Sequence, residues 1–184
     1  YNRWRQEFPA LQQGVLDAAS AVGARLIVAE NLYGYGSAES PMTERSPVKP
    51  NTRKGRVRAR MHDQLMRAHE TGKVSVAVAR GSDFFGPWVE GSAVGSRTFR
   101  ALVAGKPVEV FGDPDVPHAY TFIEDFGAAL AVLGTDSRSA GQSWHVPNAS
   151  PVSTRQFLEL AGNLAEKKIA LRKVSTIELG LIGL

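Results

Sequence analysis

Two tyrosines and an asparagine follow a short apolar segment, where their side chains could take part in proton transfer. The segment Arg25–Ala29 leads through Glu30 to Asn31, Tyr33 and Tyr35. A phenol, with a pKa normally about 10, becomes an acid/base group when its surroundings bring that pKa towards neutral. The amide of Asn31 could orient a carbonyl or hydroxyl oxygen. We predict these three as candidate catalytic residues. The alternative for each is a packing or strand-closing role.

No tyrosine of this chain has a lysine four residues further on, where a cation could lower the pKa of the phenol. The residues at that distance from the four tyrosines are Arg5 after Tyr1, Ser37 after Tyr33, Glu39 after Tyr35 and Glu124 after Tyr120. Any acid/base tyrosine in this protein must therefore be activated in another way.

A basic segment opens the next predicted helix and could hold phosphate or ribose. Arg56 and Arg60 are one helical turn apart, while Arg53 and Lys54 fall in the first turn, where backbone N–H groups favour anions. The alternative is a solvated basic face. A nucleic-acid site is disfavoured, because no aromatic residue interleaves the basic ones and no binding motif is present.

Two helix-then-strand units position these residues. Apolar residues recur at helical spacing over residues 8–22 and 52–70, and each of these segments precedes an unbroken apolar run, 25–29 and 74–79. Strands of that kind are buried on both faces of a parallel sheet. The order predicts a doubly wound α/β fold.

The rest of the chain predicts a loop at a ligand-binding edge and then shorter elements. The loop Arg80–Pro87 follows the second strand at its carboxyl end, where such sheets bind ligands. Beyond it we expect helices over 96–104, 125–133 and 153–165, with strands over 108–111, 120–123 and 144–146. A helix at the very start and an apolar segment at Leu179–Leu184 indicate that the α/β domain is incomplete in this sequence, its N-terminal half being absent.

Composition excludes several classes of protein. The 184 residues are 43% hydrophobic and 22% charged, as in ordinary globular domains. With no cysteine, neither a disulfide framework nor a thiolate zinc site is available, and we predict no metal. No apolar run approaches the ~18 residues of a membrane helix, and no secretory signal opens the sequence. We therefore expect a cytoplasmic protein that does not bind membranes. The net charge of +4 allows anionic ligands without naming one.

The order of several short motifs resembles the extended short-chain dehydrogenase/reductases, the NAD(P)-dependent epimerase/dehydratase family. The resemblance spans about residues 8–165. It is carried by Asn31-Leu32-Tyr33-Gly34-Tyr35-Gly36, Glu44 before Pro47 and Pro50, the loop Arg80 to Gly86-Pro87, Val110-Phe111-Gly112-Asp113 and Phe122-Ile123-Glu124-Asp125.

This resemblance implies a Rossmann-like dinucleotide-binding part over residues 1–90. It implies a small substrate domain over 91–184, with elements that return to the core. The expected cofactor is NAD or NADP, contacted by Arg56, Arg80, Ser82, Asp83 and Phe84. A small-molecule substrate would be contacted by Phe85, His118 and Tyr120. By analogy with the family, helices 8–22 and 52–70 would pack a homodimer. The glycine-rich fingerprint is not met, since Gly34-x-Gly36-x-x-Glu39 lacks its third glycine.

Departures from the family limit what the resemblance implies. When Arg60 is aligned with a family glutamate, Thr52 and Arg56 take the places of the family's tyrosine and lysine, and a threonine hydroxyl is too weak an acid to replace a phenol. The family's substrate-orienting Ser/Thr maps to Asn31 or near Ala29, depending on which Tyr-Gly pair is matched.

His118 stands where an arginine would grip a substrate diphosphate. We predict an oxidoreductase acting on a small carbonyl or hydroxyl compound, with sugar-like compounds among the candidates. The alternative is a catalytically inactive dinucleotide-binding regulatory or scaffold protein.

Overall fold

The computed structural model of the protein describes residues 3–37 and 41–175 and divides the chain into two units. The first unit takes residues 1–81 and 125–146, and the second takes residues 82–124 and 147–184. The apolar segment Leu179–Leu184 lies outside the described residues. The predicted domains 1–90 and 91–184 stay a prediction.

The described residues form five α-helices and nine strands. The helices are α1 (Trp4–Ala21), α2 (Arg53–Glu70), α3 (Ser96–Val103), α4 (Ile123–Thr135) and α5 (Thr154–Leu164). The strands are β1 (Leu26–Asn31), β2 (Val76–Gly81), β3 (Asp83–Phe85), β4 (Val108–Val110), β5 (Pro117–His118), β6 (Tyr120–Phe122), β7 (Ser143–His145), β8 (Val152–Ser153) and β9 (Leu171–Lys173). None of the helices in this part of the chain has the length and apolar character that a membrane span requires.

The first unit is built on a parallel sheet in the order β1, β2, β7. All six residues of β2 are buried, as its unbroken apolar run predicts. Helices α1 and α2 pack a common core against this sheet, formed by Leu16, Ala19, Leu65, Ala68, Val74, Val76 and Val78. The predicted α/β class with a parallel Rossmann-like sheet is confirmed.

Helix α1 begins at Trp4, four residues before the predicted start at Phe8. Trp4, four residues before Phe8, continues the helical apolar period by one turn. The rings of Trp4 and Phe8 lie 4.6 Å apart, and the Arg58 guanidinium lies 4.6 Å from the Trp4 ring centroid. Aromatic stacking and a cation–π contact thus extend the helix.

Short two-stranded pairings characterise the second unit. Strands β3 and β6 pair in parallel, as do β4 and β9, whereas β5 and β8 pair antiparallel. A core of Leu102, Val108, Val110 and Leu158 joins α3, β4 and α5. Strands β3, β5, β8 and β9, of two or three residues each, were not predicted.

Candidate functional site

A row of titratable residues crosses the carboxyl edge of the parallel sheet in the first unit. Strand register places Glu30 of β1 beside Arg80 of β2, and Arg80 beside His145 of β7. Neighbours in register share one face of a sheet, so the three side chains meet. The short 3₁₀ turn Tyr33–Tyr35, which follows β1, adds the Tyr35 phenol to this row.

Hydrogen bonds join these residues into one sealed network. The Arg80 Nε donates to Glu30 Oε2 at 3.1 Å, and its Nη1 donates to the Tyr35 hydroxyl at 2.6 Å. That hydroxyl lies 2.7 Å from His145 Nε2. A guanidinium only donates, so Tyr35 accepts from Arg80. Its bond with His145 takes its direction from the imidazole tautomer: Tyr35 donates to Nε2 when that nitrogen carries no proton.

Burial and charge set the protonation states of this network. Burial by itself would raise the pKa of Glu30, but the hydrogen bond and charge of His62 and the Arg80 guanidinium outweigh it, so that pKa is lowered. Burial lowers the pKa of His145, the Arg80 charge adds to this, and Glu44 opposes it. Glu30 is thus ionised and His145 neutral near pH 7.

The loop after the 3₁₀ turn is tied to the same edge. The backbone N–H of His145 donates to Glu44 Oε1 at 2.9 Å, and this bond lowers the pKa of Glu44. At Gly36, φ is +66° and an added Cβ would lie 2.1 Å from the Lys49 carbonyl oxygen. Only glycine allows the two backbone segments to approach so closely.

The predicted residues of the first unit differ in exposure. Tyr33 is 51% exposed, whereas Tyr35 is 1% exposed. The Asn31 Oδ1 accepts from the Tyr33 N–H at 3.2 Å, at the end of β1. Arg56 lies exposed on α2. Arg80 is 6% exposed and committed to Glu30 and Tyr35.

Thr52, which one alignment predicts at the position of the family's tyrosine, is the N-cap of α2. Its hydroxyl oxygen accepts from the Gly55 N–H at 2.9 Å. An added Cβ at Gly55 would lie 2.5 Å from the Tyr33 carbonyl oxygen, so the first turn of α2 runs directly against the turn that carries Tyr33.

The second unit contains an open cavity of about 350 Å³, within the range of small-molecule sites. Three of the predicted site residues, Asp83, His118 and Tyr120, line it together. Thr154 and Leu158 of α5 complete one wall, and the remaining lining residues are Ala93, Val94, Glu109, Val110, Phe111, Asp113 and Val116.

Two polar pairs stand in this cavity. The His118 Nε2 lies 2.9 Å from Asp83 Oδ2, with side chains 43% and 40% exposed. The Tyr120 hydroxyl lies 2.8 Å from Thr154 Oγ1. Burial is the main cause that raises the pKa of Tyr120, so its phenol stays protonated at neutral pH.

The remaining predicted residues of this unit lie outside the cavity lining. The ring of Phe85 packs against those of Phe122 and Phe157, at centroid distances of 5.3 and 5.2 Å. The Ser82 N–H donates to Thr121 Oγ1 at 2.9 Å. Phe84 lies in β3, beside Thr121 in register.

Sequence reasoning missed Glu30, Glu44, His62, His145 and Thr154 as members of these two groups. One signal was present. The runs Leu-Ile-Val-Ala-Glu-Asn and Val-Ala-Val-Ala-Arg-Gly each carry one charge, of opposite sign, at the fifth position. Opposite charges at matching positions of two buried strands predict a buried pair. Among the described residues, no group of three or more His, Cys, Asp or Glu side chains could hold a metal ion.

The parallel sheet, its helical crossovers and the polar row at its carboxyl edge define a Rossmann-like α/β protein. Residues 10–146 match the NAD dependent epimerase/dehydratase family, and the chain belongs to that family. A search of curated protein sequences finds no match.

Solved structures share the fold at low sequence identity. A dTDP-glucose 4,6-dehydratase from Streptomyces venezuelae, solved with NAD, is 21% identical with a TM-score of 0.77, over 89% of this chain and 51% of that one. A UDP-glucuronic acid 4-epimerase from Bacillus cereus, in complex with UDP-glucuronic acid and NAD, is 16% identical with a TM-score of 0.79, over 91% and 54%. An epimerase from Methanothermobacter thermautotrophicus is 18% identical with a TM-score of 0.79, over 94% and 52%. The chain spans about half the length of these proteins.

Proposed function

We propose that the protein is a NAD(P)-dependent oxidoreductase of the epimerase/dehydratase type, acting on a small sugar-like carbonyl or hydroxyl compound. The observation that carries this proposal is the cavity that gathers Asp83, His118 and Tyr120 in a member of this family. Its polar pairs suit the hydroxyl and carbonyl groups of such a compound. Two of the similar structures were solved with NAD, which supports the choice of cofactor.

The charge of the cavity favours a substrate without phosphate groups. Among the lining residues that the structure describes there is no lysine or arginine, while Asp83, Glu109 and Asp113 are carboxylates. Glu109 is neutralised by Arg97, at 2.9 Å, and by Arg172. A diphosphate requires cationic partners, so we propose a neutral compound rather than a nucleotide sugar as the occupant.

The described residues suit only part of a nicotinamide dinucleotide. The Lys49 carbonyl fills the space beside Gly36, so the Gly34-x-Gly36 pair forms no cradle for a pyrophosphate. We propose Arg56, Ser82 and Phe84 as contacts to other parts of the cofactor, with Arg80 supporting the sheet edge from its buried position. Asp83, predicted as a cofactor contact, we assign to the substrate cavity that it lines. When bound, the cofactor supplies the acceptor or donor of hydride.

Tyr33 is the proposed acid/base of the sheet edge. It is exposed, whereas the Tyr35 hydroxyl is sealed between Arg80 and His145. Asn31 positions Tyr33 through the bond to its N–H. In this arrangement Tyr33 would exchange a hydroxyl proton with a carbinol bound at the sheet edge of the first unit, and the buried network would hold the turn in place.

Titration of NADH and NADPH into the full-length protein, followed by tryptophan fluorescence, tests the proposal. We expect saturable quenching below millimolar cofactor with at least one of the two. An absence of binding by both at millimolar concentration would contradict it. In an assay of turnover, Tyr33→Phe should lose about 10²–10⁴-fold in kcat while cofactor binding persists.

A catalytically inactive, dinucleotide-binding regulatory or scaffold protein is the second candidate. One observation favours it: Thr52 caps α2 and cannot supply the proton of a phenol. Cofactor binding without turnover of any carbonyl or carbinol compound would select this candidate. A homodimer through α1 and α2, a cytoplasmic location and the absence of nucleic-acid binding stay predictions, and sedimentation velocity would test the first.

A further inference from the structure

We propose that His118 and Asp83 form a general-base dyad that exchanges a proton at the carbon next to the carbonyl group of a neutral hydroxyketone in the second unit's cavity. This inference rests on the proposed function, because it takes that cavity as the substrate site. It assigns to the second unit a proton-transfer step that needs no tyrosine–lysine pair.

The geometry of the pair is that of a base with its orienting partner. A neutral imidazole carries one N–H, and the Asp83 carboxylate 2.9 Å from His118 Nε2 selects the tautomer with that N–H on Nε2. The lone pair is then on Nδ1, which becomes the basic atom. Imidazole is the side chain best suited to exchange protons near neutral pH.

Access distinguishes this pair from the buried network of the first unit. Both side chains line the cavity and are about two-fifths exposed, so a ligand can reach them. The Tyr120 ring lies 5.0 Å from the imidazole and limits its rotation. The base is therefore both oriented and open to a substrate.

A hydrogen-bond donor for the substrate oxygen stands in the same cavity. The hydroxyls of Tyr120 and Thr154 lie 2.8 Å apart and have two protons between them. Their mutual bond uses one proton, and the second remains for a third oxygen. A developing enolate oxygen would be stabilised by that donor.

The step balances within the substrate and the dyad. The C–H bond next to the carbonyl breaks, its proton moves to His118 Nδ1, and its electron pair forms the carbon–carbon double bond of an enolate. The carbonyl π pair moves onto oxygen, which accepts the hydrogen bond from the Tyr120–Thr154 pair. Return of a proton from the imidazolium to carbon restores the ketone, so nothing is oxidised or reduced.

Solvent-deuterium exchange tests the dyad without any cofactor. The full-length protein is incubated in D₂O with dihydroxyacetone or D-xylulose, and proton NMR follows loss of the C–H signal beside the carbonyl. We expect exchange with both probes, lowered about 10²–10⁴-fold by His118→Gln. Asp83→Asn changes the residue that positions His118. We expect this variant to lose less of the exchange rate than His118→Gln and to show a displaced pH dependence of that rate. Glu90→Gln, an exposed charge of the same unit outside the cavity lining, is the matched control and should leave the rate unchanged.

The outcomes separate this inference from the proposed function. No exchange by the wild-type protein with either probe, or wild-type exchange by a folded His118→Gln variant, overturns the dyad. Exchange that persists in a protein binding neither NADH nor NADPH supports the dyad and contradicts the proposed function. Cofactor binding without exchange contradicts the dyad and supports the proposed function. Circular dichroism of each variant establishes that it is folded.

Discussion

The two units contain the same kinds of side chain in opposite surroundings. At the sheet edge of the first unit, a carboxylate, a phenol and an imidazole are joined by Arg80, with Glu30 only 7% and Tyr35 only 1% exposed. In the second unit, the Asp83–His118 pair borders an open cavity, beside the Tyr120–Thr154 pair. A fixed cation and the burial of Glu30, Tyr35 and Arg80 make the first group a structural clamp. Solvent access and the lack of such a cation leave the second group able to exchange protons.

This difference shows how burial decides the role of a residue type. Tyr35 follows the strand end at a position suited to catalysis, yet each atom of its hydroxyl is used within the protein. His118 is a single histidine in an irregular part of the chain, yet it meets a carboxylate beside a cavity. Whether a side chain can take part in catalysis therefore depends less on its type than on whether a substrate can reach it in place of water.

The largest effect should come from removing the cation of the buried group. Arg80→Leu leaves Glu30 buried beside His62 without its main counter-charge, and we expect a loss of about 3–5 kcal/mol in the free energy of unfolding. Arg97→Leu removes the partner of Glu109 from a solvent-exposed pair, for which we expect less than about 1 kcal/mol. Urea unfolding measures both. Equal losses of unfolding free energy in Arg80→Leu and Arg97→Leu would show that the Glu30–Arg80 pair is not protected from solvent.

Removing one hydroxyl from each region gives the next effect. Tyr35→Phe leaves Arg80 Nη1 and His145 Nε2 without a partner in a buried site, so we expect a loss of about 1–3 kcal/mol. Tyr120→Phe leaves only Thr154, which can turn to water, so about 0.5–1.5 kcal/mol is expected. The reverse order in urea unfolding would contradict the assignment of the clamp to the first unit.

Helix caps allow a smaller comparison. Ser153 is buried and forms a reciprocal capping box with Gln156, whereas Thr52 makes a single cap bond from an exposed position. We expect Ser153→Ala to cost about 1–2 kcal/mol and Thr52→Ala about 0.5–1 kcal/mol. Thermal unfolding measures the difference. Cofactor binding should be unchanged in Thr52→Ala. Loss of cofactor binding in this variant would show that Thr52 belongs to the functional site.

The smallest effect is a gentle dependence of stability on pH. The pKa of folded His145 lies below the ordinary 6.5, so the unfolded chain takes up this proton first and stability falls as the pH drops below about 6.5. The lowered pKa of Glu30 adds stability that is lost below about pH 4.5. Hydrogen exchange should locate the first loss at β2 and β7. His145→Asn should remove that loss, and an unchanged slope in this variant would assign it to another group.

Sequence patterns predicted the sheet and its helices because unbroken apolar runs and helical periods extend over many residues. The family resemblance implied His118 and Tyr120 as substrate contacts and Asp83 as a cofactor contact, and all three line one cavity in the structure. The clamp was not predicted, since it depends on register between strands far apart in sequence: Glu30 and His145 meet Arg80 only once β1, β2 and β7 are aligned. The 3₁₀ turn leaves Tyr33 exposed and buries Tyr35. A segment of six residues is too short for its sequence pattern to predict which of the two tyrosines is buried.

The chain changes unit at Gly81–Ser82, at Glu124–Asp125 and at Val146–Pro147, and the last of these has a consequence for inheritance. The family match ends at residue 146, so the stretch that supplies Thr154 and Leu158 to the cavity lies outside the part recognised as common to the family. Mutations accumulating there can reshape one wall of the cavity without touching a residue of the parallel sheet. Substitutions in α5 would therefore change the shape of the cavity while every residue of the parallel sheet stays the same.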